Sequence, residues 1–500
     1  MDILRLFKIK MEKKQNNKKS LKVNFILNAF LTMSSMIFPL ITFPYVSRIL
    51  LPEGTGKVSF ATSVVSYFLM IAQLGVPTYG IRACAKVRDN KEKLSRTVQE
   101  ILIINIIMMI FSYIFLFIAM FTIPRLKAEK ELLMIISLTI VFNTIGIEWL
   151  YKALEQYRYI TIRSILFKFI ALIAMFLLIH KQSDYIVYGG ITIFAASASN
   201  ILNMINAHKY VYMYPVGRYD IRRHLKAILI FFAMACATTI YTNLDTVMLG
   251  FMKTDIDVGY YNAAVKIKAI LVSIVTSLGV VLLPRASYYI EHGLREEFYR
   301  ISKKAINFVF LVAMPMTIYF MIYAKESIFF LSGNTYAGAI LPMQIIMPTL
   351  LLIGLTNIMG IQMLVPLGKE KVVLISEIAG AVIDLIINII LIPFIASAGA
   401  AIGTLLAELL VWIVQFYALK GVVIEAYKEV EIFKIIVAML PGIVISFFIK
   451  QLNINVFFVL LISAIVFFGI YLAVLFLLNE KLILEIFSQL RNKMIDRKRN

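Results

Sequence analysis

The sequence predicts an all-α polytopic membrane protein of about 14 transmembrane helices, built as two six-helix bundles around a central cleft with a helix pair appended. Three observations carry that expectation. Hydrophobic residues make up 61% of the 500 and charged residues only 16%, too little polar material to cover a soluble chain of this length. Apolar stretches recur from residue 22 to 478 at about 20 residues each, the length that crosses a ~30 Å hydrocarbon core as helix. With the N-terminus placed inside, the even-numbered connections and both tails hold about 38 Lys and Arg against about nine on the other face.

Residues 1–21 form a basic cytoplasmic tail, too charged to contain the apolar core of a signal peptide, so the first span serves as an uncleaved anchor. Spans 1 to 6 fall at 22–46, 57–78, 98–121, 132–150, 162–180 and 186–207, giving an N-terminal bundle over 22–207. Spans 7 to 12 fall at 226–250, 260–284, 303–324, 340–364, 372–393 and 399–419, giving a C-terminal bundle over 226–419. Spans 13 and 14, at 433–450 and 454–478, are the appended pair, and 479–500 is a second basic tail, so both termini are cytoplasmic. A wrong helix count would mix the two sets of connections beyond the error, and they stay separated along the whole chain. The polar connections are too short for a soluble domain.

This distribution accounts for the net charge of +21: basic loops beside anionic inner-leaflet lipid require no nucleic acid. Two distant cysteines, Cys84 and Cys236, exclude a disulfide framework or a CxxC metal site. His180, His208, His224 and His292 lie mainly at helix ends, and neither HExxH, a nucleophile elbow nor a P-loop occurs. The chain therefore reads as a transporter without cofactor, moving its cargo downhill or on an ion gradient, and not as an enzyme.

An internal repeat reinforces this. Arg48-Ile-Leu-Leu-Pro-Glu-Gly-Thr-Gly56 and Val247-Met-Leu-Gly-Phe-Met-Lys-Thr-Asp-Ile-Asp-Val-Gly259 each join a helix end to a glycine-bearing turn and a new helix, about 200 residues apart. Six spans restore the same orientation, so the bundles are parallel repeats suited to alternating access.

Charged groups within spans cost about 2.5 kcal/mol or more at the bilayer centre and face a cavity or a partner. Arg48, at the end of span 1 after Pro39 and Pro44, either holds an anionic group bidentately or snorkels to headgroups. Asp245 lies near the repeat position of Arg48, and the two would form a pair that closes the outer side of the cleft or a structural ion pair. Lys266 and Lys268 point about 200° apart on span 8, so at most one faces the cleft; Ala263 and Ser273 favour Lys266. Lys168, Arg82 and Arg285 sit toward the cytoplasmic side, as anchors or as a funnel for an anionic substrate. Asp384 and Glu408 are the deepest acids, and Glu377, Asp384 and Asn388 share a helix face; these acids either bind a coupling proton or sodium ion or pair structurally.

Several stretches resemble the oligosaccharide-lipid flippases of bacterial capsule and O-antigen pathways (Wzx-type), within the multidrug/oligosaccharidyl-lipid/polysaccharide exporter superfamily. They are Pro44-Tyr-Val-Ser-Arg48 with its following turn, Gly75-Val-Pro-Thr-Tyr-Gly80-Ile-Arg82, and Ala85-Lys-Val-Arg88-Asp. Glu148-Trp-Leu-Tyr-Lys-Ala-Leu-Glu155, Tyr159-Ile-Thr-Ile-Arg163, Asn243-Leu-Asp245-Thr-Val-Met-Leu-Gly250, Gly259-Tyr-Tyr-Asn-Ala-Ala264 and Gly399-Ala-Ala-Ile-Gly403-Thr-Leu-Leu-Ala-Glu408 follow in the family's order. The chain departs at Leu51, where the family usually has glycine. The resemblance implies an undecaprenyl-diphosphate-linked oligosaccharide as substrate, moved across the plasma membrane. A drug or cation exporter of the superfamily would need an anionic cleft, whereas the charges here lean cationic. A polysaccharide polymerase would need a long loop bearing clustered acids.

Overall fold

The computed structural model describes residues 2–485 and Ser488; most of the predicted C-terminal tail, including Arg497 and Arg499, lies outside these. Secondary structure among the described residues is helical, in keeping with a bilayer that leaves no water to satisfy a lipid-exposed backbone. All fourteen apolar runs lie on helices. By length and apolarity ten helices among the described residues qualify as spans, or eleven counting one bent pair, rather than fourteen.

The difference has physical causes. Two qualifying helices, Ile37–Ala85 and Glu370–Ala418, run to 49 residues each, about 74 Å at 1.5 Å per residue and far beyond a ~30 Å core. Each contains a break. Leu51, at φ 60 and ψ 177, interrupts the first, because the following Pro52 disfavours helical geometry at the residue before it. Ile395 and Ala396 (φ 45, ψ −122) interrupt the second just after Pro393. There the chain doubles back: a Cβ on Gly399 would lie 2.9 Å from the Ile392 nitrogen, and one on Gly403 would lie 2.4 Å from Asn388 Oδ1. Span 4 falls on a helix of only 16 residues, Lys130–Ile145, followed by the short Glu148–Ala153. Span 10 is the bent pair Asn334–Ile346 and Thr349–Leu364, turned by 46° at Pro348.

The chain forms two compact units. The first comprises Met1–Leu50 and Lys57–Asn243. Its core packs Leu94, Val98, Ile101, Trp149, Leu150 and Tyr151 around Cys84. Gly80 lets the helix Val76–Ala85 approach the Trp149 ring, where a methyl would come within 2.7 Å. The connection after span 6 is not a free linker. Gln99 Nε2 donates to the Tyr212 and Tyr214 carbonyls at 2.8 Å each, and Gln99 Oε1 accepts from the Val216 amide and Tyr219 hydroxyl.

Beside Gln99, Glu100 is fully buried and accepts from Arg96 Nε (3.0 Å), the Asp220 amide (2.7 Å), Arg223 Nη2 (2.5 Å) and His224 Nε2 (2.8 Å). The buried carboxylate is tolerated because every lone pair is taken. His224 Nδ1 in turn meets the Tyr79 hydroxyl at 2.6 Å. The start of helix Arg222–Met252 is thereby stapled to the start of helix Lys91–Thr122.

The second unit comprises Leu51–Gly56 and Leu244–Asn500. A capping box of Thr254 and Asp257 starts the helix Asp255–Glu291, which touches Arg295–Ile322, Ile340–Ile346, Thr349–Thr356 and Glu370–Ala418. The helical segment 51–56, just past the break at Leu51, lies on that helix start, backbone against backbone. A Cβ on Gly56 would stand 1.8 Å from the Asp255 carbonyl oxygen, and one on Gly259 2.1 Å from that of Pro52. Thr55 Oγ1 and the buried Tyr336 hydroxyl meet at 2.7 Å. The pair Ile432–Ile449 and Val456–Leu477, with Gly442 against Phe467, docks on Arg295–Ile322 through Tyr319 to Ser463 (2.9 Å) and Tyr471 to the Leu311 carbonyl (2.9 Å).

Candidate functional site

A buried polar cluster occupies the second unit where helices Arg222–Met252, Asp255–Glu291 and Glu370–Ala418 meet. Asp245 is its centre, 6% exposed. Asp245 Oδ1 accepts from Asn388 Nδ2 at 2.6 Å, and Oδ2 accepts from Thr404 Oγ1 at 2.8 Å and from the Tyr261 hydroxyl. Tyr261 and Thr404 are themselves 2.9 Å apart.

The hairpin geometry assembles this set. Ser376, Gly380, Asp384 and Asn388 share a buried stripe at four-residue spacing, facing Gly403, Thr404, Ala407 and Glu408 on the returning arm. Gly403 is required: a Cβ there would meet Asn388 Oδ1 at 2.4 Å and Asp384 Oδ1 at 2.7 Å. Those two oxygens are buried and accept no hydrogen bond from the described residues. The Asp384 carboxylate is within electrostatic reach of Asp245 and Glu408, and Lys268 is the lysine whose charge reaches all three acids. A cluster of oxygen acceptors, two of them unsatisfied, is chemically suited to a proton or a small hard cation.

Of the residues singled out from sequence, Asp245 and Asp384 share this cluster, and Glu408 and Lys268 are within electrostatic reach of it. Lys266 is half-buried on the same helix. Glu377 is half-buried two turns from Asp384, about 10 Å along the helix, and stands apart from the cluster. Arg48 is exposed and donates to the Pro44 carbonyl one turn back on its own helix. Lys168 donates to Ser34 Oγ (3.0 Å) and Ser35 Oγ (2.7 Å). Arg82 is exposed at the end of helix Val76–Ala85, and Arg285 is exposed immediately after Pro284.

Sequence reasoning missed Tyr261 and Thr404 as partners of Asp245, although both lie in stretches that resemble the flippases. It also missed the Glu100–His224 staple, whose only sequence signal is an acid at the start of an apolar run.

The first unit holds a cleft of about 540 Å³ between 66–78 and 231–243. Gln73, Thr78, Thr239 and Asn243 supply its polar lining, and Met70, Phe231 and Met234 its apolar lining; among the described residues no charged side chain lines it. The cations predicted from sequence therefore lie elsewhere.

Comparison with known proteins is consistent along the chain. Two curated relatives carry the name "Putative O-antigen transporter": one of Escherichia coli (strain K12), 26% identical over 79% of this chain and 95% of its own, and one of Shigella dysenteriae, 24% identical over 80% and 100%. Among solved structures, the lipid II flippase MurJ in an inward closed conformation superposes with a TM-score of 0.72 at 16% identity, covering 92% of this chain and all of that one. An inward-facing multidrug resistance MATE family transporter of the MOP superfamily gives 0.52 at 16% identity, over 81% and 99%. The fold is thus that of these transporters, and the relatives are transporters and a flippase rather than enzymes. A family profile described as polysaccharide biosynthesis protein matches residues 21–290, more than half of the sequence, and the chain belongs to that family.

Proposed function

We propose that this protein moves undecaprenyl-diphosphate-linked oligosaccharide repeat units across the bacterial plasma membrane by alternating access, with both termini cytoplasmic. The observation that carries the reading is the end-to-end likeness to proteins named as O-antigen transporters, over about four-fifths of the chain. The acid cluster of the second unit is the coupling site, where Asp245, Asp384, Asn388 and Thr404 take a proton or a sodium ion and Lys268 and Glu408 set its charge. Asp245 is held in this cluster by Tyr261, Asn388 and Thr404. Arg48, Lys266, Lys168, Arg82 and Arg285 are the candidate contacts for the diphosphate, with guanidinium groups suited to bidentate binding. Deleting the gene should leave undecaprenyl-linked repeats accumulated in the cytoplasmic leaflet, measured by leaflet-selective labelling. Absence of accumulation in cells that still assemble the precursor overturns the reading. Transport in proteoliposomes under separate sodium and pH gradients identifies the ion.

A further inference from the structure

The reading above leaves the sugar without a binding place, and the uncharged cleft of the first unit supplies one. Its volume of about 540 Å³ falls within the range of about 300–1,000 Å³ typical of small-molecule sites. The side chains of Gln73, Thr78 and Thr239 line it, and none makes a hydrogen bond to protein among the described residues. Asn243 spends its Nδ2 on the Thr239 carbonyl (3.1 Å) and Thr242 Oγ1 (3.0 Å), which leaves Oδ1 as an open acceptor. Facing these groups are Phe231 and Met234.

Unspent neutral donors and acceptors beside an aromatic and a thioether match the two-sided chemistry of a sugar ring, whose hydroxyls lie at the edge and whose C–H groups lie on the face. A polyprenyl chain fits less well, since it would cover each polar group without a partner. A carboxylate fits worse, because nothing in the lining compensates its charge.

We infer that this cleft binds the glycan portion of the substrate and selects uncharged sugars, while the diphosphate is held outside it. This rests on the flippase reading and adds a binding place and a specificity to it. The test measures affinity of the full-length protein in nanodiscs for three probes: undecaprenyl diphosphate, the same lipid carrying N-acetylglucosamine, and the same lipid carrying glucuronic acid. The N-acetylglucosamine lipid should bind more tightly than the bare lipid, and the glucuronic acid lipid more weakly than the N-acetylglucosamine lipid.

Gln73→Leu and Thr239→Val should each weaken binding of the N-acetylglucosamine lipid roughly ten-fold, about one hydrogen bond. The contrast with the bare lipid should shrink accordingly. Thr78 is exposed, so Thr78→Val tests the same point with little risk to folding. Equal affinity for sugared and bare lipid, equal losses toward both in the variants, or full affinity for the glucuronic acid lipid would each overturn the inference alone. Binding of none of the three lipids would overturn the flippase reading, and this inference with it.

Discussion

Gly403→Ala tests the acid cluster at its tightest point. The added methyl would stand 2.4 Å from Asn388 Oδ1 and 2.7 Å from Asp384 Oδ1, where ordinary contact begins near 3.4 Å. The Asn388 oxygen must therefore retreat by about 1 Å, or the hairpin must open by as much. Either movement takes the 2.6 Å bond from Asn388 to Asp245 to about 3.6 Å, beyond the range of a hydrogen bond. Overpacking costs about 1–3 kcal/mol and a lost bond to a charged acceptor about 1.5–3 kcal/mol. The two overlap, so about 2–4 kcal/mol is expected.

The assay is thermal melting of the purified protein with and without sodium and across pH, alongside transport in proteoliposomes. Gly403→Ala should melt earlier, lose ion-dependent stabilisation and lose coupled transport. Gly469→Ala, with nothing within 4 Å of the new methyl, is the control and should be neutral or slightly stabilising. Adding Asn388→Ala to Gly403→Ala removes the nearer clash but leaves Asp384 Oδ1 at 2.7 Å and Asp245 without its amide donor, so neither stability nor coupling should recover fully. Wild-type ion dependence in Gly403→Ala would refute the assignment of this cluster.

Leu51 occupies a backbone region that glycine tolerates and other residues enter at about 1–3 kcal/mol. Leu51→Gly should add up to about 2 kcal/mol of stability after glycine's entropic cost, read as a higher melting temperature, while the β-branched Leu51→Val should lower it. Gly56→Ala and Gly259→Ala each drive a methyl to within about 2 Å of a backbone carbonyl, and neither should support transport in a complementation assay. Glu100→Gln removes the charge shared by Arg96, Arg223 and His224 and sets an amide N–H against donors where one of the two carboxylate oxygens accepted. A loss of about 3 kcal/mol in melting is expected, at the lower end for a broken buried pair because both arginines retain water. Limited proteolysis between residues 207 and 222 should accelerate in the same variant.

The helical class and the position of every apolar run were legible in the sequence, because bilayer thickness fixes segment length and proline marks the breaks. That Asp384 and Glu408 lie within helix arms rather than at their ends followed from counting residues. Which way a side chain points did not. In a membrane both the lipid face and the packed face of a helix are apolar, so periodicity no longer reports rotation. Lys266 and Lys268 are both half-buried on one helix, and Lys268 is the one within electrostatic reach of the acids. Glu377 lies seven residues from Asp384 and so on nearly the same helix face, but it is half-buried where Ser376, Gly380 and Asp384 are buried. Tyr261 and Thr404 are ordinary span residues until Asp245 is brought against them by helices 16 and 159 positions away. The departure at Leu51, by contrast, has a local cause, since the positive φ there explains why glycine is usual at that position.

The hairpin Glu370–Ala418 also bears on how the protein enters the membrane. An acid or amide presented singly to lipid during insertion costs a few kcal/mol, and this segment carries Asp384, Asn388 and Glu408 on two arms joined by a turn of one or two residues. Gly403 allows the returning arm to cover the Asp384 and Asn388 oxygens directly. The two arms can thus leave the translocon as one body with their polar groups turned inward. Asp245 and Tyr261, made earlier in synthesis, then need only receive a partner that has already concealed its own polarity.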